Sequence, residues 1–292
     1  MSGKVSRSVL SRAAMAWPSG GLAAGLIRRL RPARVRSLPR PAYSAERQPG
    51  TSLYNGHGLR RFNLLLADEV AATIANSSFA FVLGGDCSVL LGALAGVRRT
   101  TSVSLVHIDG HSDFRHPGNY DASSTLGAVA GMDLALATGR GEALLTEWPG
   151  IVGALVRDTD VVQLGERESR DPDYAWPDIA ETKFTRIDIF DALDQGMERV
   201  LARTFDVIVA RDQPFWLHLD VDVLDRTVMP AVDSPGSPGF SFEQLAMIAA
   251  PLARDPRCAG ATLTVFDPDL DPEGVHADAL VNMVHVILGP GS

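Results

Sequence analysis

The sequence predicts an α/β fold in which a parallel sheet is covered by helices on both faces. Three observations carry this. Strand-like and helix-like segments alternate over most of the chain, as they do when each strand returns through a crossover helix. Nearly every conspicuous polar residue stands just after a strand-like run, where open parallel sheets bind ligands. The 292 residues, 46% of them hydrophobic, suffice for one large domain with a substantial core.

In chain order, residues 1–50 read as a basic, Pro/Arg-rich arm, extended and partly disordered, lying on the domain or on a neighbouring subunit. Lys4 and eight arginines fall within residues 1–45 with no acid, leaving 18 basic against 35 acidic residues in the rest. Such a start mimics an organellar transit peptide, but Lys4 and Lys183 are the only lysines, so arginine enrichment is a habit of the whole chain. No convincing first strand is legible there. Residues 51–292 are expected to form a single domain. Its helix at 57–76 leads to a strand at 79–84, a helix at 88–97 and a strand at 102–108. Strands at 160–165 and 184–189, a helix at 192–204 and a strand at 215–221 follow. The helix at 242–254 has the clearest start, because Ser241 with Gln244 fits a capping box and Phe240 with Leu245 a hydrophobic staple. A strand at 261–266 and a helix at 276–288 complete the alternation.

Composition narrows the function. A net charge of −8 argues against nucleic acid as a partner. No apolar run approaches the ~20 residues that span a bilayer, so the expectation is a soluble, cytoplasmic protein with a small-molecule substrate and no membrane partner. Two cysteines, Cys87 and Cys258, do not make a disulfide framework.

The chemistry is concentrated where two strand-like runs end. Val103-Ser-Leu-Val-His-Ile108 runs into Asp109, His111 and Asp113, and a second run ends in Asp220 and Asp222. Residues i, i+2 and i+4 of a strand point the same way, so each set can face one site. Taken singly, each aspartate reads as a loop cap or turn residue. Together, four carboxylates and an imidazole are too costly to gather without a neutralising cation, and a hard divalent metal is the economical explanation. Gly84-Gly85-Asp86-Cys87-Ser88 upstream makes the pattern more specific.

In this order and at these separations, the segments reading GGDCS, DGHSD and LDVDVLDR resemble the GGDHS, DAHxD and xDxDxxDP motifs of the ureohydrolase superfamily of arginases, agmatinases and formiminoglutamases. The chain reads as a divergent, arginase-like member. The likeness runs from about Leu64 to the C-terminus, with Thr264-Val-Phe-Asp-Pro268 at the family's last active-site strand end. It implies a three-layer α/β fold with a central, mostly parallel sheet, two divalent ions, usually manganese, and a homo-oligomer. Carried over residue by residue, it gives Asp109 and Asp220 as bridges to both metals. Cys87, in the family's histidine slot, and Asp113 complete the first, while His111 and Asp222 complete the second. The resemblance further implies a hydroxide between ions ~3.5–4 Å apart that attacks the carbon of a guanidino, amidino or formimino group. Asp113 would shuttle the proton, so Asp113 and His111 are the catalytic candidates.

Departures from the family pattern bear on metal and substrate. A thiolate prefers zinc, iron or copper. Cys87 therefore either ligates and tilts the first site towards iron, cobalt or zinc, or sits beside a weakened manganese site, or is a small buried hydrophobe. Hydroxyarginine hydrolases within the family also carry cysteine in this slot. Where guanidino-specific members hold the guanidinium with a glutamate stands Val265, and Ala130 replaces the arginase histidine before Gly131-Met132. Arg115, His116 and Asn119 are candidates for binding an anionic or hydroxylated substrate tail, against the plainer reading of a solvated loop; Asp267 is a further substrate-binding candidate. His218 reads either as a group orienting a metal ligand or as a satisfied core histidine. Glu166, Arg167 and Glu168 read best as a surface salt-bridge cluster, and Asp225 as a residue fixing its own loop. The expected function is hydrolysis of a linear C–N bond in a compound other than arginine. The alternative is a weak or inactive arginase-like protein kept for binding or assembly.

Overall fold

The computed structural model describes residues 7–11, 21–44, 46–119, 127–171 and 176–289. Its strands are β1 (Arg7–Ser11), β2 (Arg34–Ser37), β3 (Phe79–Leu83), β4 (Ser104–Ile108), β5 (Val161–Leu164), β6 (Thr185–Ile187), β7 (Phe215–Asp220) and β8 (Cys258–Thr264). The longer helices are α1 (Gly21–Leu30), α2 (Gly56–Ala75) and α3 (Val89–Arg98), then, after the short α4 (Asp133–Ala137) and α5 (Ala143–Thr146), α6 (Ile189–Gln195), α7 (Met197–Val209), α8 (Phe242–Arg254) and α9 (Val275–Leu288). The strands form one sheet in the order β2-β1-β3-β8-β7-β4-β5-β6, and every pairing is parallel.

Alternation along each strand sorts the apolar residues into two cores. Phe79, Phe81 and Leu83 of β3, with Phe215, Leu217 and Leu219 of β7, pack with residues of α1, α6, α7, α8 and α9. Ala80 and Val82, with Leu105 and Trp216, pack with residues of α2, α3, α4 and α5 on the opposite face. The expected three layers are therefore present, and the expected strands and helices lie within a few residues of their observed limits. One helix differs. The span 192–204 is cut into α6 and α7 at Gly196, whose φ of 80 breaks the helical path.

The N-terminal expectation needs correction. Instead of an arm without a strand, β1 pairs with both β2 and β3, and α1 lies between β1 and β2 in the chain. The disorder expected at residues 1–6, 12–20 and 45 falls outside the described residues. The strands escaped notice because they are four or five residues long with few apolar positions. The signal that was available is helical: Leu22 and Leu26, four apart, are buried. A Cβ on Gly25 would stand 2.7 Å from Val281 Cγ2, so α1 approaches α9 closely there. The arginines have a role too. Arg34 and Arg36 of the edge strand β2 reach Glu69 at 3.0 and 3.7 Å, and charged side chains protect an open sheet edge from further pairing.

After β3 the chain crosses to β4, three places away in the sheet, with β8 and β7 filling the gap. This switch opens a crevice at the carboxyl ends of the strands. The segments after β3, β4, β7 and β8 all arrive there.

Candidate metal centre

Strand register builds the centre in two polar layers. In the upper layer Asp220 pairs with Thr264, and Asp109 follows Ile108, the partner of Leu219. Two residues deeper, His218 pairs with Thr262 on one side and with His107 on the other, and His107 pairs with Gln163. All four residues of the lower row are fully buried. Central strands of a parallel sheet are normally continuous apolar runs, so a polar row through this one asks for a chemical reason.

The side chains converge closely. Ligand atoms of Cys87, Asp109, His218 and Asp220 lie within 4.8 Å of one another, and so do those of Asp109, His111 and Asp222. Asp113 and Asp133 join Cys87 in a further set, and His107, Asp133 and His218 form another beneath. Cys87 Sγ donates to Asp220 Oδ2 at 2.7 Å, and His111 Nδ1 lies 2.9 Å from Asp222 Oδ2. The His107 and His218 rings stack with centroids 4.8 Å apart. Among the described residues, Asp109 Oδ2, Asp133 Oδ2 and His218 Nε2 are buried without a hydrogen-bond partner. A buried carboxylate oxygen normally finds a donor, whereas Asp109 Oδ2 stands 3.8 Å from His107 Nε2 and Asp133 Oδ2 3.8 Å from His218 Nε2, beyond hydrogen-bond reach.

Electrostatics point the same way. Burial pushes the Asp109, Asp113, Asp133 and Asp220 carboxyls well above their ordinary range, and neighbouring carboxylates add to it. Burial, and then the charges of Asp220 and Asp109, push the Cys87 thiol well up. At His111 burial alone would lower the pKa, but the hydrogen bond and charge of Asp222, with Asp113 and Glu168, raise it to about 9. Burial holds His107 down at about 4 and His218 well below its ordinary value, so both rings are neutral and keep a lone pair. Surplus acceptors and protons held on carboxyls are what a cage for divalent cations shows when its charge is uncompensated. The residues present therefore fit metal.

The comparisons with known proteins agree with this geometry. The Arginase family profile matches residues 49–289. The chain belongs to the arginase family. It is similar to the arginase of Bacillus caldovelox, with 29% identity over 259 residues, covering 85% of this chain and 82% of that protein. The native structure of Bacillus caldovelox arginase superposes with a TM-score of 0.84 at 25% identity, covering 99% of both chains. Formimidoylglutamase from Bacillus subtilis shares the fold, with a TM-score of 0.69 at 16% identity, over 99% of this chain and 88% of that one.

Within this arginase-family frame, the residues expected to bind metal all lie at the carboxyl ends of β3, β7 and β4. The loop after β4 is placed differently from expectation. His116 Nε2 lies 2.8 Å from Asp178 Oδ2 and Asn119 Nδ2 donates to Asp178 Oδ1 at 3.0 Å, so both fasten the loop to that carboxylate. Arg115 lies with its guanidinium carbon 4.9 Å from the centre of the Trp176 ring. Asp267 accepts from the backbone of Asp269 at 2.9 Å and caps a short turn. Asp225 fixes its loop through Thr227 and Gly239.

The surface reading of residues 166–168 is corrected. Glu166 is fully buried, and accepts from the backbones of Glu168 and Ser169 at 2.8 and 2.9 Å. Glu168 accepts from both Ser112 N and Ser112 Oγ at 3.0 Å. Arg167 donates to the Asp222 carbonyl at 2.7 Å. Its guanidinium fills the space where a Cβ on Gly110 would point, which accounts for glycine where the family motif has alanine. Asp133 was missed altogether. It stands next to Met132 in a stretch with no strand-end motif, and only the packing of α4 brings it under Cys87.

Proposed function

We propose that the chain is a binuclear-metal hydrolase that cleaves a linear C–N bond in a guanidino, amidino or formimino compound other than arginine. The observation that carries the two-metal reading is Asp109, whose carboxylate belongs at once to the set with Cys87 and Asp220 and to the set with His111 and Asp222. Cys87, Asp109, Asp113 and Asp220 would hold the first ion, and Asp109, His111, Asp220 and Asp222 the second. Manganese in the oxygen-rich position and assembly as a homo-oligomer belong to the same reading.

Two bound cations supply a water acidic enough to act as nucleophile at neutral pH. The rest falls to the protein. Asp113 would carry the proton from the attacking side to the departing amine. Asp222 orients the His111 ring through the 2.9 Å contact. Arg115 would anchor the far end of the substrate, with Asp267 as a further contact.

Val265 bears most directly on the substrate. Its φ of 74 is rare for a β-branched residue, and its N–H donates to Gly85 O at 2.7 Å, which holds the strained turn at the end of β8. An apolar side chain there leaves the donors of a guanidinium unpaired, at a cost on the order of 1–3 kcal/mol, or roughly one to two decades in rate. The relatives named above include an arginase and a formimidoylglutamase, so the test is direct. Metal-loaded protein is assayed with arginine and with other guanidino, amidino and formimino compounds for released urea or amine. Arginine should be a poor substrate; arginine surpassing all others would overturn the reading. A binding or assembly role is the second reading, favoured by Val265 and Ala130 together, and no turnover of any compound by fully loaded protein would select it.

A further inference from the structure

Replacing the family histidine with Cys87 leaves the first metal position without an imidazole among its expected ligands, yet an imidazole is there. His218 stands two residues before Asp220 on β7 and on the same face. Its Nδ1 lies 2.6 Å from Thr262 Oγ1 on the neighbouring strand. With Nδ1–H donating to that hydroxyl, the lone pair sits on Nε2, the nitrogen that is fully buried without a partner. Its nearest acidic neighbour, Asp133 Oδ2, is 3.8 Å away, too far for a hydrogen bond and itself unpartnered. A hydrogen bond that fixes tautomer and ring orientation while the other nitrogen stays bare is how proteins prepare a ligating histidine.

We propose that His218 Nε2 is a metal ligand, and that His218 takes the place given above to Asp113, so that the first ion is held by Cys87, His218, Asp109 and Asp220, whose ligand atoms lie within 4.8 Å of one another. This rests on the two-metal reading above. The two positions are then chemically unlike. One sulfur, one nitrogen and two oxygens suit zinc, cobalt or iron, whereas Asp109, His111, Asp220 and Asp222 suit manganese. His218 would bring to the site a donor from two residues deeper in β7 than Asp220. Asp133 and His107 line the floor beneath it, with His107 Nε2 3.4 Å from Asp133 Oδ1. Cys87 gives up its thiol proton on binding, and the proton leaves to solvent.

Cobalt(II) alone serves as the probe, on the full-length protein. Wild type should take up two equivalents, show a thiolate-to-cobalt charge-transfer band, and show imidazole scattering in its X-ray absorption spectrum. The decisive variant is His111→Ala, at a residue whose side chain is 27% exposed, so that the change leaves the core intact. The remaining cobalt should keep both the sulfur band and the imidazole scattering, now from His218. Thr262→Val should weaken the first position by about 10–100-fold without touching a ligand. Loss of all imidazole scattering in His111→Ala overturns the proposal, and so does His218→Ala with two cobalt ions and an unchanged spectrum. Wild type that binds one ion, with sulfur and with imidazole retained in His111→Ala, supports the proposal while overturning the two-metal reading. Wild type that takes up no cobalt overturns both.

Discussion

On the proposed two-metal reading Asp109 and Asp220 would each touch both ions; Asp109 belongs to both sets of converging ligands and Asp220 to the one with Cys87. Asparagine in either place keeps the shape and removes the charge. Asp109→Asn and Asp220→Asn should each strip the purified protein of metal, as read by elemental analysis, and unchanged metal content in both would refute the assignment. Cys87 tests softness. Cys87→His should shift preference towards manganese and make the protein less sensitive to thiol reagents, and no change in either would make the cysteine a bystander. Val265 tests substrate. Val265→Glu supplies the missing acceptor for a guanidinium and should raise the rate with arginine relative to the best neutral compound by roughly one to two decades. An unchanged ratio would mean that specificity is set elsewhere.

At the scale of the element, local motifs place the strand ends. The capping box at Ser241 is complete, with Gln244 N donating to Ser241 Oγ at 3.2 Å and Ser241 N donating to Gln244 Oε1 at 2.9 Å. Ser241→Ala should lower stability by about 1 kcal/mol in urea unfolding while metal content stays the same. The turn after β4 behaves differently. Gly110 leaves room for the Arg167 guanidinium, which holds the Asp222 carbonyl, and Gly236 does the same from the other side, its would-be Cβ being 2.6 Å from Arg167 Nη1. Gly110→Ala must displace Arg167. It should therefore reduce both thermal stability and metal retention, and loss of stability alone would separate Arg167 from the centre.

For the whole molecule, metal and fold are linked through protons. In the metal-free protein the Asp109, Asp113, Asp133 and Asp220 carboxyls stand well above their ordinary range and His111 is raised to about 9. Groups raised in the folded state stabilise it below their unfolded pKa and lose that contribution as pH rises through the folded value. Above about pH 6.5, where an unfolded histidine has lost its proton, His107 and His218 no longer add an opposing slope. Chelator-stripped protein should therefore lose thermal stability as pH rises from there to about 9. Loaded protein should not, because the cation replaces those protons and binds more tightly as they leave. Free metal at about one hundred times its dissociation constant should stabilise by about 2.7 kcal/mol. Equal pH slopes for stripped and loaded protein, by calorimetry, would break the link.

Much of this could be read along the chain. The alternating segments, the helix cap at Ser241 and the carboxylate pairs at 109–113 and 220–222 are patterns of neighbours in sequence, and the periods of strand and helix translate such patterns directly into faces. Short segments failed this translation: β1 and β2 are too brief and too polar to announce themselves, and they become strands because β3 offers an unpaired edge. His218 shows the other limit. On its own strand it reads equally well as core or as site. What settles its surroundings is register, since pairing of β7 with β8 and β4 sets Thr262 and His107 at its sides, and α4 then brings Asp133 beneath Cys87. Those partners come from segments far apart in the chain. Their meeting is a property of strand order and packing, which local sequence does not encode.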